Sequence, residues 1–151
     1  MKLYFDECCS RRLSRELKQY YIEQGSIDLD VSHVLDFYDP ATAESTWLQP
    51  LQDDRTWIPV TNDHGRNPKR EKFHAVCTAL GITYVVLTPT LIDAGYDEQK
   101  NALSAVWDQL HLLYRLPPGT KVTLGYGDPD GDTKTYCLRI KQKLLTNVVP
   151  N

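Results

Sequence analysis

Hydrophobic and polar positions along the chain follow two periods, one typical of strands and one typical of helices. Short apolar runs bounded by polar or turn-forming residues predict buried β-strands. These runs span residues 2–5, 29–35, 56–61 and 82–87. Between them, apolar residues recur at spacings of three and four, which predicts amphipathic helices. The alternation of strand and helix favours an α/β fold with a parallel sheet flanked by helices.

The ends of the predicted helices coincide with residues that favour helix termini. Ser10 is a favoured N-cap for the first helix, and Gly25 is a favoured stop. A second helix is predicted to begin at Asp39 and Pro40, because Asp favours the N-cap and Pro the first helical position. That helix carries Glu44.

The C-terminal third of the chain has a different pattern. One long helix is predicted over residues 97–114. Two strands follow at 120–126 and 133–140, and the turn between them is rich in Gly and Asp, which predicts a β-hairpin. The organisation we expect is one domain over 1–145, with core motifs in 1–92, a helix and hairpin extension in 93–145 and a tail in 146–151.

Length, charge and cysteine spacing narrow the classes of function. A chain of 151 residues fits a single domain. The net charge of −3 argues against binding nucleic acid with the whole surface, but it allows a local basic patch and a carboxylate cluster around a metal. No apolar run approaches the roughly 20 residues that span a bilayer, and no signal peptide opens the chain, so we expect a cytoplasmic protein without a membrane partner. The four cysteines lack zinc-site spacing.

Two predicted strands end in carboxylates. Asp6 and Glu7 follow the first strand, and Asp63 follows the third. Ligands of parallel α/β sheets bind outside the carboxyl ends of the strands, where like charges repel unless a cation lies between them. Glu44, on the helix before the third strand, can supply a third oxygen. Three such acids suit Mg²⁺ or Mn²⁺, which prefer carboxylate and water ligands.

Each of these acids also has an ordinary structural interpretation. Glu44 in a first helical turn is favourable to the helix dipole. Asp63 can be the first residue of an Asp-His-Gly turn. Asp6 is the hardest to explain in this way, because a strand that enters the core rarely ends in Asp-Glu without a partner.

Three segments resemble the PIN-like nucleases, a group that includes the VapC-type toxins. They are the opening KLYFDE, the helix Arg-Leu-Ser-Arg-Glu-Leu and the later strand that ends Pro-Val-Thr-Asn-Asp, and the resemblance covers residues 2–88. It implies a PIN-like parallel sheet between helices and Mg²⁺- or Mn²⁺-dependent cleavage of RNA. The residues that map onto the catalytic, metal-binding acids of the family are Asp6, Glu44 and Asp63, with Glu7 and Asp39 as further candidate ligands.

The chain departs from the family pattern in two places. Many members have a further acid just after the third strand, whereas here no carboxylate follows Asp63 until Glu71. The predicted helix start at Asp39 also lies farther from Asp63 than usual, so Asp39 remains a rival to Glu44. An incomplete acid set favours an alternative function, a catalytically inactive PIN-like module that binds nucleic acid or protein.

The resemblance also implies partners. The substrate would be RNA, and a cognate antitoxin would occupy the basic rim or the acid pocket. The hairpin from Thr120 has no counterpart in the minimal family fold, so it offers a surface for a partner or a homodimer. Basic residues near the predicted edge suit backbone phosphates. They are Arg11, Arg12, Arg66, Lys69 and Arg70. A phosphatase or nucleotide-binding protein is a third class, but the first strand leads into neither an Asp-x-Asp pair nor a Gly-rich loop.

Overall fold

A computed structural model of the chain describes residues 2–23, 25, 30–64, 72–127, 135–141 and 143–144. The strands are β1 (Lys2–Phe5), β2 (Asp30–His33), β3 (Trp57–Thr61), β4 (Tyr84–Leu87), β5 (Lys121–Tyr126), β6 (Tyr136–Ile140) and β7 (Lys143–Leu144). The α-helices are α1 (Arg11–Glu23), α2 (Glu44–Leu48), α3 (Phe73–Leu80), α4 (Pro89–Asp93), α5 (Tyr96–Ala105) and α6 (Trp107–Leu110). Short 3-10 turns lie at Val34–Asp36, Gln49–Leu51 and Leu113–Arg115.

The described strands form one sheet in the order β2-β1-β3-β4-β5-β6-β7. Strands β1 to β5 pair in parallel, while β6 and β7 pair antiparallel at one end. The predicted α/β class with a PIN-like, mostly parallel sheet is confirmed. The hairpin predicted in the C-terminal third is built directly onto this sheet, because β5 pairs with β4 in register from Tyr84↔Lys121 to Leu87↔Leu124.

Helices cover the two faces of the sheet unequally. On the first face, alternate strand residues such as Leu3, Phe5 and Leu124 pack against α1, α4, α5 and α6 in an aliphatic core. On the second face, Tyr4 and Tyr84 pack against α2 and α3 in a smaller core rich in aromatic rings. The period of two along β1 therefore divides its side chains between two separate cores, as a strand covered on both faces requires.

The second predicted helix begins later than expected. The sequence predicts a start at Asp39 and Pro40, but Ala41 adopts a left-handed conformation with φ of 64°, and α2 starts only at Glu44. A left-handed residue cannot lie inside an α-helix. The backbone N–H of Ala41 instead donates to both carboxylate oxygens of Glu7, each at 3.1 Å, so a contact with the end of β1 holds this turn.

The predicted long helix over residues 97–114 is also wrong in its extent. It divides into α5, α6 and a 3-10 turn, with the break at Val106, where φ is −99° and ψ is 13°. The apolar stripe continues across the break because Ala102, Val106 and Leu110 are all buried. A hydrophobic period therefore predicts which residues face the core without detecting a local break in the helix.

Some predicted features lie outside the described residues. These are the tail, the centre of the hairpin turn and the basic residues Arg66, Lys69 and Arg70. Among the helices that the structure does describe, none has the length and apolar character needed to cross a membrane.

Candidate active site

The strand order places a crevice between β1 and β3. From β1 the chain moves through α1 to β2 on one side, and it then returns past β1 to β3 on the other side. In open parallel sheets, such a reversal of strand order opens a ligand-binding crevice at the carboxyl ends of the strands. Asp6 follows β1 there, and Asp63 lies two residues beyond β3.

Asp6 is a buried carboxylate held by three donors. It is 1% exposed, and its own N–H extends the β1–β3 pairing by donating to the carbonyl of Val60 at 2.9 Å. Oδ1 accepts the backbone N–H of Glu7 at 2.5 Å. Oδ2 accepts the Thr61 hydroxyl at 2.9 Å and the Cys8 thiol at 3.2 Å. Because a buried charge is costly unless it is hydrogen-bonded, these donors fix where the carboxylate points.

Thr61 connects the two predicted acids. Its fully buried hydroxyl donates to Asp6 Oδ2 and accepts the backbone N–H of Asp63, also at 2.9 Å. One side chain at the end of β3 therefore fixes the orientation of Asp6 and the backbone position of Asp63. The Thr61 hydroxyl of the Thr-Asn-Asp motif thus connects the ends of β1 and β3.

Glu44 occupies the first residue of α2 and is 2% exposed. It lies one turn before the core residues Trp47 and Leu48, on the buried side of the helix. An acid that only stabilises a helix dipole normally stays exposed to solvent. The burial of Glu44 therefore argues against the helix-dipole interpretation. Glu44 as a ligand stays a prediction, but its burial is unusual for a carboxylate.

The other two candidate ligands lie in exposed or partly exposed positions. Glu7 is half-buried and accepts the N–H of Ala41, as described above. Asp39 is exposed, and its carbonyl accepts the backbone N–H and the hydroxyl of Thr42 at 3.3 and 2.7 Å. Asp39 is therefore part of a turn before α2 and not of the helix itself.

Asp6 and Asp63 provide hard oxygen donors at the crevice. Among the described residues, however, no three His, Cys, Asp or Glu side chains come together in a group that could hold a metal ion. Mg²⁺ is often bound by one or two protein carboxylates with waters and substrate phosphates completing its shell. The donor chemistry thus fits a magnesium or manganese ion shared with substrate, and it does not fit a complete protein cage.

The predicted basic residues that can be located are paired with acids. Arg11 Nη2 lies 2.8 Å from Asp36 Oδ1. Arg12 Nε lies 2.9 Å from Glu16 Oε1, and its guanidinium stacks over the Tyr96 ring at 4.4 Å. Exposed ion pairs contribute about 0–1 kcal/mol, so a phosphate can compete for either arginine at small cost. Their RNA-binding role stays a prediction.

Sequence reasoning missed two residues at this edge. The exposed thiol of Cys8 contacts the Asp6 carboxylate, and it lies 3.5 Å from the Thr61 hydroxyl. His74, on α3, bonds through Nε2 to the carbonyl of Asp63 at 2.8 Å. No spacing in the sequence signals either contact, because Cys8 lies in a turn and His74 is brought in by a helix eleven residues after Asp63.

Comparison with known proteins identifies the family. No curated protein and no solved structure matches the chain. A model of the PIN-like domain matches residues 1–88, which is more than half of the chain and includes β1 to β4 with Asp6, Glu44 and Asp63. The chain therefore belongs to the PIN-like domain family, whose members are generally nucleases.

Proposed function

We propose that the protein is a Mg²⁺- or Mn²⁺-dependent endoribonuclease and the toxin of a toxin–antitoxin pair. The observation that carries the nuclease proposal is the hydrogen-bonded unit of Asp6, Thr61 and Asp63 at the crevice between β1 and β3. A carboxylate fixed in this way keeps its orientation before substrate arrives, which is the preorganisation that metal-dependent catalysis needs.

Each residue has a defined task in this proposal. Asp6 and Asp63 would hold the ion, and Glu44 is the third candidate ligand. The bound ion would lower the pKa of a coordinated water and neutralise charge on the scissile phosphate. Thr61 orients Asp6 and fixes Asp63, while the N–H of Glu7 and the thiol of Cys8 satisfy the remaining contacts of Asp6.

The test is cleavage of single-stranded RNA with Mg²⁺ or Mn²⁺. We expect Asp6→Asn and Asp63→Asn each to reduce the cleavage rate by more than about 100-fold, because loss of an outer-shell partner alone already costs about 10- to 100-fold. Asp53→Asn is the matched control, since Asp53 is an exposed acid in the loop that precedes β3. Cleavage that survives both site substitutions would refute the proposal.

A second function is favoured by one observation. Because the described residues assemble no group of three metal-ligating side chains, the chain also suits a catalytically inactive module that binds nucleic acid or protein. Calorimetry with Mn²⁺ separates the two proposals. Absence of both metal binding and RNA cleavage in the wild-type protein supports the inactive module.

The toxin and partner proposals rest on the resemblance to VapC-type toxins. We expect expression of the wild-type chain to arrest cell growth and Asp6→Asn to relieve the arrest. A cognate antitoxin would cover the acid crevice. A homodimer would use the C-terminal hairpin, where β7 ends the described sheet.

A further inference from the structure

A groove lies on the second face of the sheet, beside the residues that follow β3. It has a volume of about 440 Å³, within the range of about 300–1,000 Å³ that is usual for ligand pockets. Residues from four parts of the chain line it, and they are His64, Lys72, His74, Ala75, Tyr84 and Lys121.

The groove exists because the helices of the second face do not reach the end of the sheet. Val122 and Leu124 of β5 are buried in the core of the first face, so the alternate residues Lys121 and Thr123 face the other way. In the described part of the chain, the core of the second face contains no residue from β5 or β6. Among the described residues, no helix therefore covers the surface next to α3 beyond β4.

The groove is basic. Two lysines, two histidines and a tyrosine line it, and none of the described lining residues is acidic. Lys72 and Lys121 are both exposed. Burial raises the pKa of Tyr84 to about 12, so its hydroxyl remains a proton donor. In a protein of net charge −3, a concave surface whose described lining holds cations and no carboxylate is complementary to an anion.

The groove is physically joined to the candidate active site. His64 directly follows Asp63, and its Nε2 donates to the carbonyl of Leu87 at 2.8 Å. His74 bonds through Nε2 to the carbonyl of Asp63 and through Nδ1 to the Tyr84 hydroxyl at 3.0 Å. A carbonyl only accepts, so Nε2 donates to Asp63, while Nδ1 is the ring nitrogen that meets the Tyr84 hydroxyl. One imidazole thus links Asp63 to the floor of the groove.

We propose that this groove binds the backbone phosphates of a single-stranded nucleic acid next to the point of cleavage. The proposal rests on the nuclease function above and adds the path that the strand takes. Tyr84 is buried and its hydroxyl is bonded to His74, so the exposed cations Lys72 and Lys121 are the groups that would contact the phosphates. Phosphate contacts of this kind position a strand without reading its sequence.

The experiment measures binding of a labelled 12-nucleotide single-stranded RNA by fluorescence anisotropy in EDTA, over a series of salt concentrations. Chelation prevents metal-dependent cleavage, so binding is measured independently of the proposed activity. Lys121→Gln and Lys72→Gln each remove one cation from the groove. Lys18→Gln is the matched control, because Lys18 is an exposed lysine on α1, across the sheet, where it pairs with Asp30 at 3.2 Å.

The slope of the logarithm of the binding constant against the logarithm of salt concentration should become shallower by about 0.7 for each groove substitution, the value for one phosphate on a single strand. Binding at 0.1 M salt should therefore weaken about fivefold. Lys18→Gln should bind as the wild type does. Groove variants that match Lys18→Gln would overturn the proposal. So would poly-glutamate of equal charge competing as well as RNA, because the groove would then not prefer phosphodiesters.

The two proposals fail in different ways. If the wild type shows no metal-dependent cleavage but the groove variants lose binding, the groove stands and the nuclease function falls. If the wild type cleaves RNA and the groove variants bind it normally, the strand follows another path and only the groove proposal falls.

Discussion

The two faces of the sheet differ in the side chains that pack on them and in how far they are covered. The first face buries mainly aliphatic residues beneath α1, α4, α5 and α6, and its core extends to Leu138 of β6. The second face buries aromatic rings such as Trp47 and Phe73 beneath α2 and α3, and its core among the described residues ends at β4. The buried Glu44 and the basic groove both belong to the second face. The first face therefore supplies stability, while the less covered face provides space for ligands.

The largest expected loss of stability comes from a substitution that would create a cavity in the core of the first face. Leu103 of α5 is fully buried there. We expect Leu103→Ala to lower the free energy of unfolding by about 2–5 kcal/mol, measured by urea titration, because lost transfer energy and an unfilled cavity add together. RNA cleavage per folded molecule should be unchanged, since Leu103 belongs to the core of the first face.

The control for Leu103→Ala is Ala105→Ser, an exposed position on the same helix, which should change stability by less than about 0.5 kcal/mol. A Leu103→Ala protein that is equally stable but inactive would contradict the division between the two faces.

A smaller effect is expected where β1 and β3 meet. Thr61→Val keeps the shape of the side chain but removes the hydroxyl that donates to Asp6 and accepts from Asp63. We expect a loss of about 1–3 kcal/mol in unfolding free energy, because buried polar groups lose their partner. The cleavage rate per folded molecule should fall, whereas Leu103→Ala should leave it unchanged.

Thr61→Ser restores the hydroxyl, so it should recover cleavage even though it lacks the buried methyl group. If Thr61→Val and Thr61→Ser have equal rates, then the hydroxyl does not orient the acids. Comparison of these two variants isolates the hydrogen bonds from packing.

The smallest change in stability is expected from the exposed network on α1 and α5, the helices that cover the first face. Hydrogen bonds from Tyr96, Lys100 and Arg12 lower the pKa of Glu16 to about 2, from an ordinary value of 4.5. Lys100 Nζ lies 3.1 Å from Glu16 Oε2, and the network joins α1 to α5. A lowered folded pKa means that the ionised carboxylate stabilises the fold above about pH 4.5, and that this contribution is lost as the pH falls towards 2.

Glu16→Gln should therefore lower stability near neutral pH and match the wild type near about pH 2. The measurement is the free energy of unfolding across the acid range, at low and high salt, because exposed pairs are screened. Glu23→Gln, on the same helix, is the control. If the free energy of unfolding depends on pH identically in the wild type and in Glu16→Gln, then the network does not stabilise the packing of α1 on α5.

Local pattern predicted much of the fold. The uninterrupted apolar run Tyr84 to Leu87 predicts a strand buried on both faces, and β4 is fully buried. The positions of Asp6 and Asp63 follow from the same reasoning, because parallel strands end at one edge. These features depend on residues that are neighbours in sequence or on a rule of topology.

Features that depend on distant residues could not be predicted. Asp39 and Pro40 carry a strong helix-start signal, yet the contact between Glu7 and Ala41 places a turn there. The groove needs Lys121 beside Tyr84, a pairing of strands that no local pattern specifies. His74 reaches Asp63 only once α3 has packed on the sheet.

The pairing of β5 with β4 has a consequence for how such a protein can diversify. The candidate acids all lie in residues 1–88, the part that the PIN-like family shares, whereas Lys121 of the groove comes from the part beyond it. The other five residues that line the groove lie within residues 1–88, so Lys121 is the contribution of β5. If the groove holds a nucleic-acid strand as proposed, substitution of Lys121 would change how tightly the strand is held without touching the candidate acids.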